Sequence, residues 1–230
     1  MLGLPDGIEG CLFDLDGVLT KTAVVHFAAW KELFDGFLRE HHPEEREFSQ
    51  DDYDEWVDGR AREDGVRSFL ASRDIELSDE EIDALAERKN EVVLKKIRED
   101  GVEAYPGSVE YLKAVRAAGL PTAVVSASAN CEDVVRVAGL EEYLDHRVDG
   151  KVAKERGLKG KPEPDTFLEG AREIGVDPGK AAVFEDAVAG VQAGKVGKFG
   201  YVVGVDRVDH ADDLREHGAD TVVEDLAELL

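Results

Sequence analysis

Short apolar runs that end in polar or acidic clusters constrain the fold of this chain more than any other sequence feature. The first run, Cys11-Leu12-Phe13, leads into Asp14-Leu15-Asp16-Gly17, which is typical of a buried strand followed by a loop at its carboxyl end. The later runs are 122–125, 181–184, 201–205 and 221–223. A helix with Val109, Leu112 and Val115, ended by Gly119, is expected before the second run, and further helical segments follow at about 130–138, 164–174, 186–194 and 211–217. Strands that alternate with helices indicate a parallel sheet with helices on both faces.

The stretch between the first run and about residue 100 has helical spacing and no convincing strand. Apolar residues recur at helical intervals over 22–40, and Ser78 with Glu81 forms a capping box that opens a helix to about residue 98. We therefore predict an α/β fold, a Rossmann-like parallel-sheet core with a small all-helical cap domain inserted after the first strand. The predicted domains are residues 1–20 with 104–230 for the core and 21–103 for the cap.

The composition excludes several classes of partner. Lys and Arg total 28 against 52 Asp and Glu, a formal charge of −24, so neither a sequence-independent grip on nucleic acid nor docking on an anionic membrane is expected. The acidity fits a well-solvated surface or adaptation to high salt. Two cysteines, Cys11 and Cys131, form no disulfide framework. We expect two reduced, buried thiols in a cytoplasmic protein.

Polar residues follow the predicted strands at one edge of the sheet, where ligands of open parallel sheets bind. They are Asp14, Asp16, Ser126, Glu185 and Asp186, and the loop before the helix near 166 adds Lys161. Crowded carboxylates repel one another unless a cation lies among them, and oxygen ligands suit Mg²⁺. A carboxylate held beside Mg²⁺ can attack phosphorus, while Lys161 and Ser126 stabilise the oxygens of the transferring group.

Four motifs occur in order along the chain: FDLDGVLT, VVSAS, KPEPD and VFEDAVAG. Together they resemble the haloacid dehalogenase superfamily of phosphotransferases, and the helical insertion resembles its cap domain. The resemblance implies that Asp14 is the nucleophile and Asp16 the general acid and base. It also implies Mg²⁺ bound by Asp14, the backbone carbonyl of Asp16 and Asp186, with Glu185 beside them. Ser126 and Lys161 resemble the hydroxyl and the lysine that bind the transferring phosphate.

Cap residues narrow the resemblance to the β-phosphoglucomutase-like subfamily. The matching positions, taken as substrate-binding, are Thr22, His26, Trp30, Gly59, Arg62, Lys89, Ser128 and Asn130. The resemblance implies that Arg62 holds the distal phosphate of a bisphosphate, with Ser128 and Asn130 on its other side. Lys89 is implied to reach the sugar, and His26 to help control Asp16.

Three positions depart from the subfamily pattern. Lys21 stands where that pattern has an acidic residue, and Asp58 and Ala129 stand where it has lysines. Two cations near the distal phosphate are therefore replaced, which puts mutase selectivity in question. Arg60 is a candidate substitute, so the change Arg60→Ala is expected to weaken bisphosphate binding.

The function implied is Mg²⁺-dependent phosphoryl transfer through an aspartyl phosphate. The first expectation is interconversion of β-glucose 1-phosphate and glucose 6-phosphate, with β-glucose 1,6-bisphosphate as phosphoryl donor. The alternatives are a phosphatase acting on small phosphosugars and a regulatory or binding module without turnover. A small phosphorylated sugar is the expected partner, and the expected state is a monomer.

Other functions that these motifs suggest do not fit. The residues after Asp14-x-Asp16-Gly17 lack the remaining ligands of an EF-hand loop. Ser126 is not within a G-x-S-x-G motif, and the chain has no GxxxxGK[ST] loop. A response-regulator receiver does not carry a long helical insertion after its first strand.

Overall fold

The computed structural model describes residues 2–230, apart from the side chain of Asp100; Met1, the first residue of the predicted core domain, lies outside the described residues. Within that part, the sheet has six strands, all parallel, in the order β3-β2-β1-β4-β5-β6. The strands are β1 (Gly10–Phe13), β2 (Thr122–Val125), β3 (His146–Val148), β4 (Ala181–Glu185), β5 (Tyr201–Val205) and β6 (Thr221–Val223). The predicted fold class, a Rossmann-like α/β core with a helical insertion, is confirmed.

Helices cover both faces of this sheet. They are α5 (Pro106–Ala117), α6 (Cys131–Val137), α7 (Gly150–Arg156), α8 (Asp165–Glu173), α9 (Val188–Val196) and α10 (Ala211–His217). Side chains of β1 alternate between two apolar clusters, because successive strand residues point to opposite faces. Cys11 and Phe13 pack with Tyr111 on one face, and Leu12 packs with Phe167 on the other.

Four helices follow β1 and form a separate apolar core. They are α1 (Ala23–His41), α2 (Gln50–Trp56), α3 (Arg62–Ala71) and α4 (Asp79–Asp100). The rings of Trp30 and Phe34 stack with centroids 5.1 Å apart, and Phe69 lies 4.2 Å from Phe34. Helix α4 begins at the predicted capping box, in which Ser78 and Glu81 each accept a hydrogen bond from the backbone of the other.

Two segments connect the helical insertion to the sheet, and they run side by side. Thr20 and Ala104 form an antiparallel bridge, and the Tyr105 N–H donates to the Leu19 carbonyl at 3.0 Å. The predicted domain limits, 20/21 and 103/104, coincide in sequence with this paired segment and stay a prediction.

Two core elements, β3 and α7, were not predicted. Strand β3 is three residues long and lies at the edge of the sheet, with His146 and Arg147 exposed, so it carries no apolar run. Helix α7 begins at Asp149, whose carboxylate accepts from the backbone N–H groups of Lys151 and Val152. Among residues 2–230, no helix is long and apolar enough to cross a membrane.

Candidate active site

The order of the strands brings the acidic residues together. The strand order reverses between β1 and β4, and a crevice opens at the carboxyl ends of strands at such a reversal. Asp14 follows β1, while Glu185 ends β4 and Asp186 follows it. These three carboxyl groups are buried and each offers an oxygen within 4.8 Å of the others.

Gly17 makes this arrangement sterically possible. Its φ is +95°, and a Cβ built on it would lie 1.7 Å from Oδ2 of Asp186. Gly190 plays the same part for Glu185, since a Cβ there would lie 1.9 Å from that carboxylate. The Glu185 carboxylate also accepts from the backbone N–H of Ala187 at 2.9 Å. Both glycines therefore allow carboxylates to pack directly against backbone.

Lys161 is the cation of this cluster. Lys161 is only 3% exposed. Its ammonium contacts the carboxylates of Asp14 and Glu185 and donates to the Val125 carbonyl at 3.3 Å. Burial lowers the pKa of Lys161, but the two carboxylates outweigh it and raise that pKa above its ordinary value. Lys161 is therefore a permanent positive charge beside Asp14.

Burial raises the pKa values of Asp14 and Asp186 well above the ordinary range, and repulsion from neighbouring carboxylates adds to this; Lys161 opposes the rise. One lysine does not balance three buried carboxyl groups. A divalent cation with oxygen ligands would, so the residues fit Mg²⁺.

Asp16 points away from that cluster. Its carboxylate accepts from the Thr22 hydroxyl and from Ser126 Oγ at 3.3 Å, and Oδ1 lies 3.5 Å from His26 Nε2. If Asp16 contributes a ligand to an ion site, it therefore does so through its backbone carbonyl and not through its carboxylate. Its carboxyl group lines the same pocket as His26.

His26 and Lys89 form a buried polar pair next to Asp16. Lys89 Nζ lies 2.8 Å from His26 Nδ1 and 4.7 Å from the centre of the Trp30 ring. Burial lowers the pKa of Lys89 to about 7, and burial and the Lys89 charge lower that of His26 to about 4. An ammonium has no acceptor, so while Lys89 is charged it donates to Nδ1 of the neutral His26. The remaining proton of His26 is then on Nε2 and faces Asp16.

The cap lies directly against the core over this crevice. Asn130 donates from Nδ2 to Oδ1 of Asn90 on α4 at 2.8 Å. A Cβ on Gly59, whose φ is +71°, would lie 3.1 Å from that of Ala187. The enclosed catalytic pocket has a volume of about 50 Å³, far below the several hundred Å³ of typical ligand sites. Cap and core thus leave little free space directly around Asp14.

Comparison with known proteins identifies the family. A model of haloacid dehalogenase-like hydrolases matches residues 8–197. The chain belongs to the haloacid dehalogenase-like hydrolase family. A Mycobacterium tuberculosis protein named beta-phosphoglucomutase is 49% identical over all of this chain and 94% of its own.

Other members of this family carry related names. An Escherichia coli protein named fructose-1-phosphate phosphatase is 32% identical over 87% of this chain and 95% of its own. A solved structure named beta-phosphoglucomutase from Clostridium difficile has a TM-score of 0.80 and 28% identity, covering 97% of this chain and 93% of that one. The predicted membership of the superfamily and its β-phosphoglucomutase-like subfamily is confirmed, and with it the prediction of an enzyme.

The structure brings most of the predicted substrate residues to the walls of one pocket. They are His26, Trp30, Gly59, Arg62, Lys89, Ser128 and Asn130, together with Asp14, Asp16, Glu185 and Asp186. Thr22 contacts the pocket residue Asp16, to whose carboxylate its hydroxyl donates. Ser126 and Lys161 line an adjoining cleft. The roles given to these haloacid dehalogenase residues stay predictions.

The sequence reasoning did not single out Tyr53, which lines the same pocket and is buried. Its neighbour Asp58 was noted only as a departure from the family pattern. Burial, followed by repulsion from Glu185 and Asp54, raises the pKa of Asp58 to about 7, although the Tyr53 hydroxyl opposes this. Asp58 could have been found from its position directly before Gly59, but no sequence signal marks Tyr53.

Proposed function

We propose that the chain is a Mg²⁺-dependent β-phosphoglucomutase that interconverts β-glucose 1-phosphate and glucose 6-phosphate. The observation that carries this is one closed pocket with Asp14 in the core and Arg62 on the cap. A substrate with phosphates at both ends needs a cationic group at each end, and Lys161 and Arg62 provide them. The 49% identity to relatives named beta-phosphoglucomutase supports the same reading.

In the proposed reaction, Asp14 exchanges a phosphoryl group with the sugar. A carboxylate oxygen of Asp14 forms a bond to phosphorus of β-glucose 1,6-bisphosphate, and the bond from phosphorus to the sugar oxygen breaks. The transferring oxygens are stabilised by the charge of Lys161 and by the hydroxyl of Ser126, whose exposures are 3% and 2%. The aspartyl phosphate then passes its phosphoryl group to an incoming glucose monophosphate.

Asp16 moves the proton in both directions. It gives a proton to the departing sugar oxygen and takes one from the attacking hydroxyl. Its contacts with Thr22, Ser126 and His26 hold the carboxyl group in one orientation. Because burial and the Lys89 charge lower the pKa of His26 and keep it neutral, it does not pair with Asp16 as a cation.

Asp14, Asp186 and the backbone carbonyl of Asp16 would hold Mg²⁺, with Glu185 beside them. When bound, the ion supplies positive charge that keeps Asp14 ionised and shields its attack on an anionic phosphate. The chain's own contribution is a dry pocket, because Asp14 and Asp186 are each only 6% exposed.

The distal phosphate is assigned to the cap. Arg62, with Ser128 and Asn130 across the pocket, provides a planar fork of donors suited to a phosphate. Arg60 lines the same pocket and is the candidate replacement for the cations missing at Asp58 and Ala129. Closure of the cap on this phosphate would exclude water while the bisphosphate reverses its orientation in the pocket.

The second candidate is a phosphatase for small phosphosugars. It is favoured by the relative named fructose-1-phosphate phosphatase and by the loss of lysines near the distal phosphate. In that case water would take the phosphoryl group from Asp14. A non-turnover binding module using the same pocket is the third reading. Under each reading, we propose a cytoplasmic monomer whose partner is a small phosphorylated sugar.

A phosphorus NMR time course tests the proposal. The protein is incubated with Mg²⁺, β-glucose 1-phosphate and a trace of β-glucose 1,6-bisphosphate, with Asp14→Asn as the matched control. Growth of glucose 6-phosphate with little free phosphate supports the mutase. Growth of free phosphate instead overturns it in favour of the phosphatase. No change in either signal rejects β-glucose 1-phosphate as the substrate.

A further inference from the structure

A large cleft adjoins the catalytic pocket. Its volume is about 920 Å³, and it lies between α3 of the cap and the core segment formed by α7 and residues 158–163. It shares Arg60, Arg62, Ala127 and Ala129 with the pocket around Asp14, and Ser126 and Lys161 line it as well. The cleft therefore leads to the groups that would bind the transferring phosphate.

The cleft is rich in cations on a chain that is strongly acidic. Its arginine and lysine side chains, besides Lys161, are Arg60, Arg62, Arg67, Lys151, Lys154 and Lys159. The carboxylates lining it are Glu63, Asp64, Asp83 and Glu163. Seven arginine and lysine side chains thus face four carboxylates in the cleft, but Arg62, Arg67 and Lys161 pair with carboxylates outside its lining.

The lysines on the core side of the cleft are free to bind a ligand, whereas two arginines on the cap side are not. Arg62 and Arg67, on α3, pair with Glu87 and Asp79. Across the described residues, no carboxylate lies within 4.0 Å of the ammonium of Lys151, Lys154 or Lys159. These three lysines, which we call the entrance lysines, are exposed on one side of the cleft.

Electrostatics explains why such a cleft matters here. A sugar phosphate is a dianion and is repelled by a chain with so many carboxylates. Screening limits that repulsion to about 10 Å at 0.1 M salt, so the charges nearest the entrance decide the approach. A group of unpaired cations at the entrance of a cleft attracts an anionic ligand and raises its rate of association.

We propose that this cleft is a binding subsite for a phosphate monoester, where the entrance lysines hold the substrate before it reaches the catalytic pocket. The inference rests on the proposed function, because it needs an anionic sugar substrate. The volumes fit this order of binding, since the free space directly around Asp14 is about 50 Å³ whereas the adjoining cleft offers about 920 Å³.

The test replaces the entrance lysines together, K151Q/K154Q/K159Q. Its control, K95Q/K113Q/K195Q, makes the same change of charge at exposed lysines that line neither cavity. Steady-state rates are measured with β-glucose 1-phosphate and the bisphosphate at 20 mM and 500 mM KCl. At low salt kcat/KM of the entrance variant is expected to fall about tenfold, with kcat little changed, and the control to fall less than twofold. At high salt the difference is expected to shrink below twofold.

Equal losses in both variants would overturn the proposal, because net charge alone would then explain them. So would an unchanged kcat/KM of the entrance variant at low salt. If wild-type protein turns over neither glucose phosphate but releases phosphate from acetyl phosphate, the proposed mutase fails on its own. The same pair of variants is then compared on acetyl phosphate, an anion that must use the same entrance, and the same two outcomes apply.

Discussion

Replacing Lys89 by methionine is expected to stabilise the fold at neutral pH while it lowers activity. Lys89 is 2% exposed, and burial lowers its pKa to about 7. A lysine in the unfolded chain has a pKa of about 10.4. Below pH 7 both states carry the proton and the full penalty of burying the charge is present. Between pH 7 and 10 only the unfolded state keeps it, so the penalty declines as the pH rises.

The size of the effect follows from the difference between the two pKa values. At pH 7 the penalty is about 4 kcal/mol, and at pH 9.5 it is about 1 kcal/mol. Methionine keeps the apolar contact with Trp30 but loses the hydrogen bond to His26 and the cation–π contact, together worth about 2 kcal/mol. The variant is therefore expected to be about 2 kcal/mol more stable at pH 7. At pH 9.5 the neutral Lys89 makes no cation–π contact, so the variant is expected to be about as stable as wild type.

Thermal and urea unfolding followed by circular dichroism would measure this change. A gain of about 2 kcal/mol corresponds to a rise in Tm of roughly 4–8 °C for a protein of this size. Lys95→Met on the same helix is the control, since Lys95 is exposed and its replacement removes no buried charge. A variant that is less stable than wild type at pH 7, or a difference independent of pH, would refute the reasoning.

Three further substitutions test how the site is built. Asp16→Asn is expected to lower kcat by about 10² to 10⁴ with the thermal unfolding curve unchanged, because it removes only the proton carrier; a kcat within tenfold of wild type would reject that role. Gly17→Ala places a Cβ 1.7 Å from the Asp186 carboxylate and is expected to lower stability by about 2 kcal/mol or more, with weaker Mg²⁺ binding by calorimetry. Arg207→Lys breaks the 2.9 Å bond from Nε to the Gly17 carbonyl and the 3.7 Å stacking over Tyr105, so a loss of about 1–2 kcal/mol is expected in urea unfolding. An unchanged midpoint would contradict that contribution.

The fold was predictable because the signals for it are local. A buried strand such as β4 is a run of apolar residues, and a capping box such as that of Ser78 is a spacing of three. Each can be recognised without knowing the rest of the chain. Strand β3 was not predicted because two of its three residues are exposed, so it lacks the apolar run by which a buried strand is recognised.

The residues of the candidate site were predictable one at a time, through motifs, but their mutual contacts were not. No sequence pattern places Lys89 of α4 on His26 of α1, because that contact depends on how two helices pack. The depressed pKa of Lys89 follows from the same packing and is equally hidden. Arg207 lies outside all four motifs, yet its guanidinium reaches the backbone of the loop that contains Asp16.

These contacts explain how cap position can control the chemistry. Asp16 belongs to the core loop, but its carboxylate is held by Thr22 at the start of α1 and faced by His26 one turn later. His26 in turn depends on Lys89, which is carried by the last cap helix. A cap that moves away takes Thr22 and His26 with it and leaves Asp16 without its orienting partners. If Asp16 moves the proton as proposed, it is thus correctly placed only when cap and core are in contact, which is also when water has least access to Asp14.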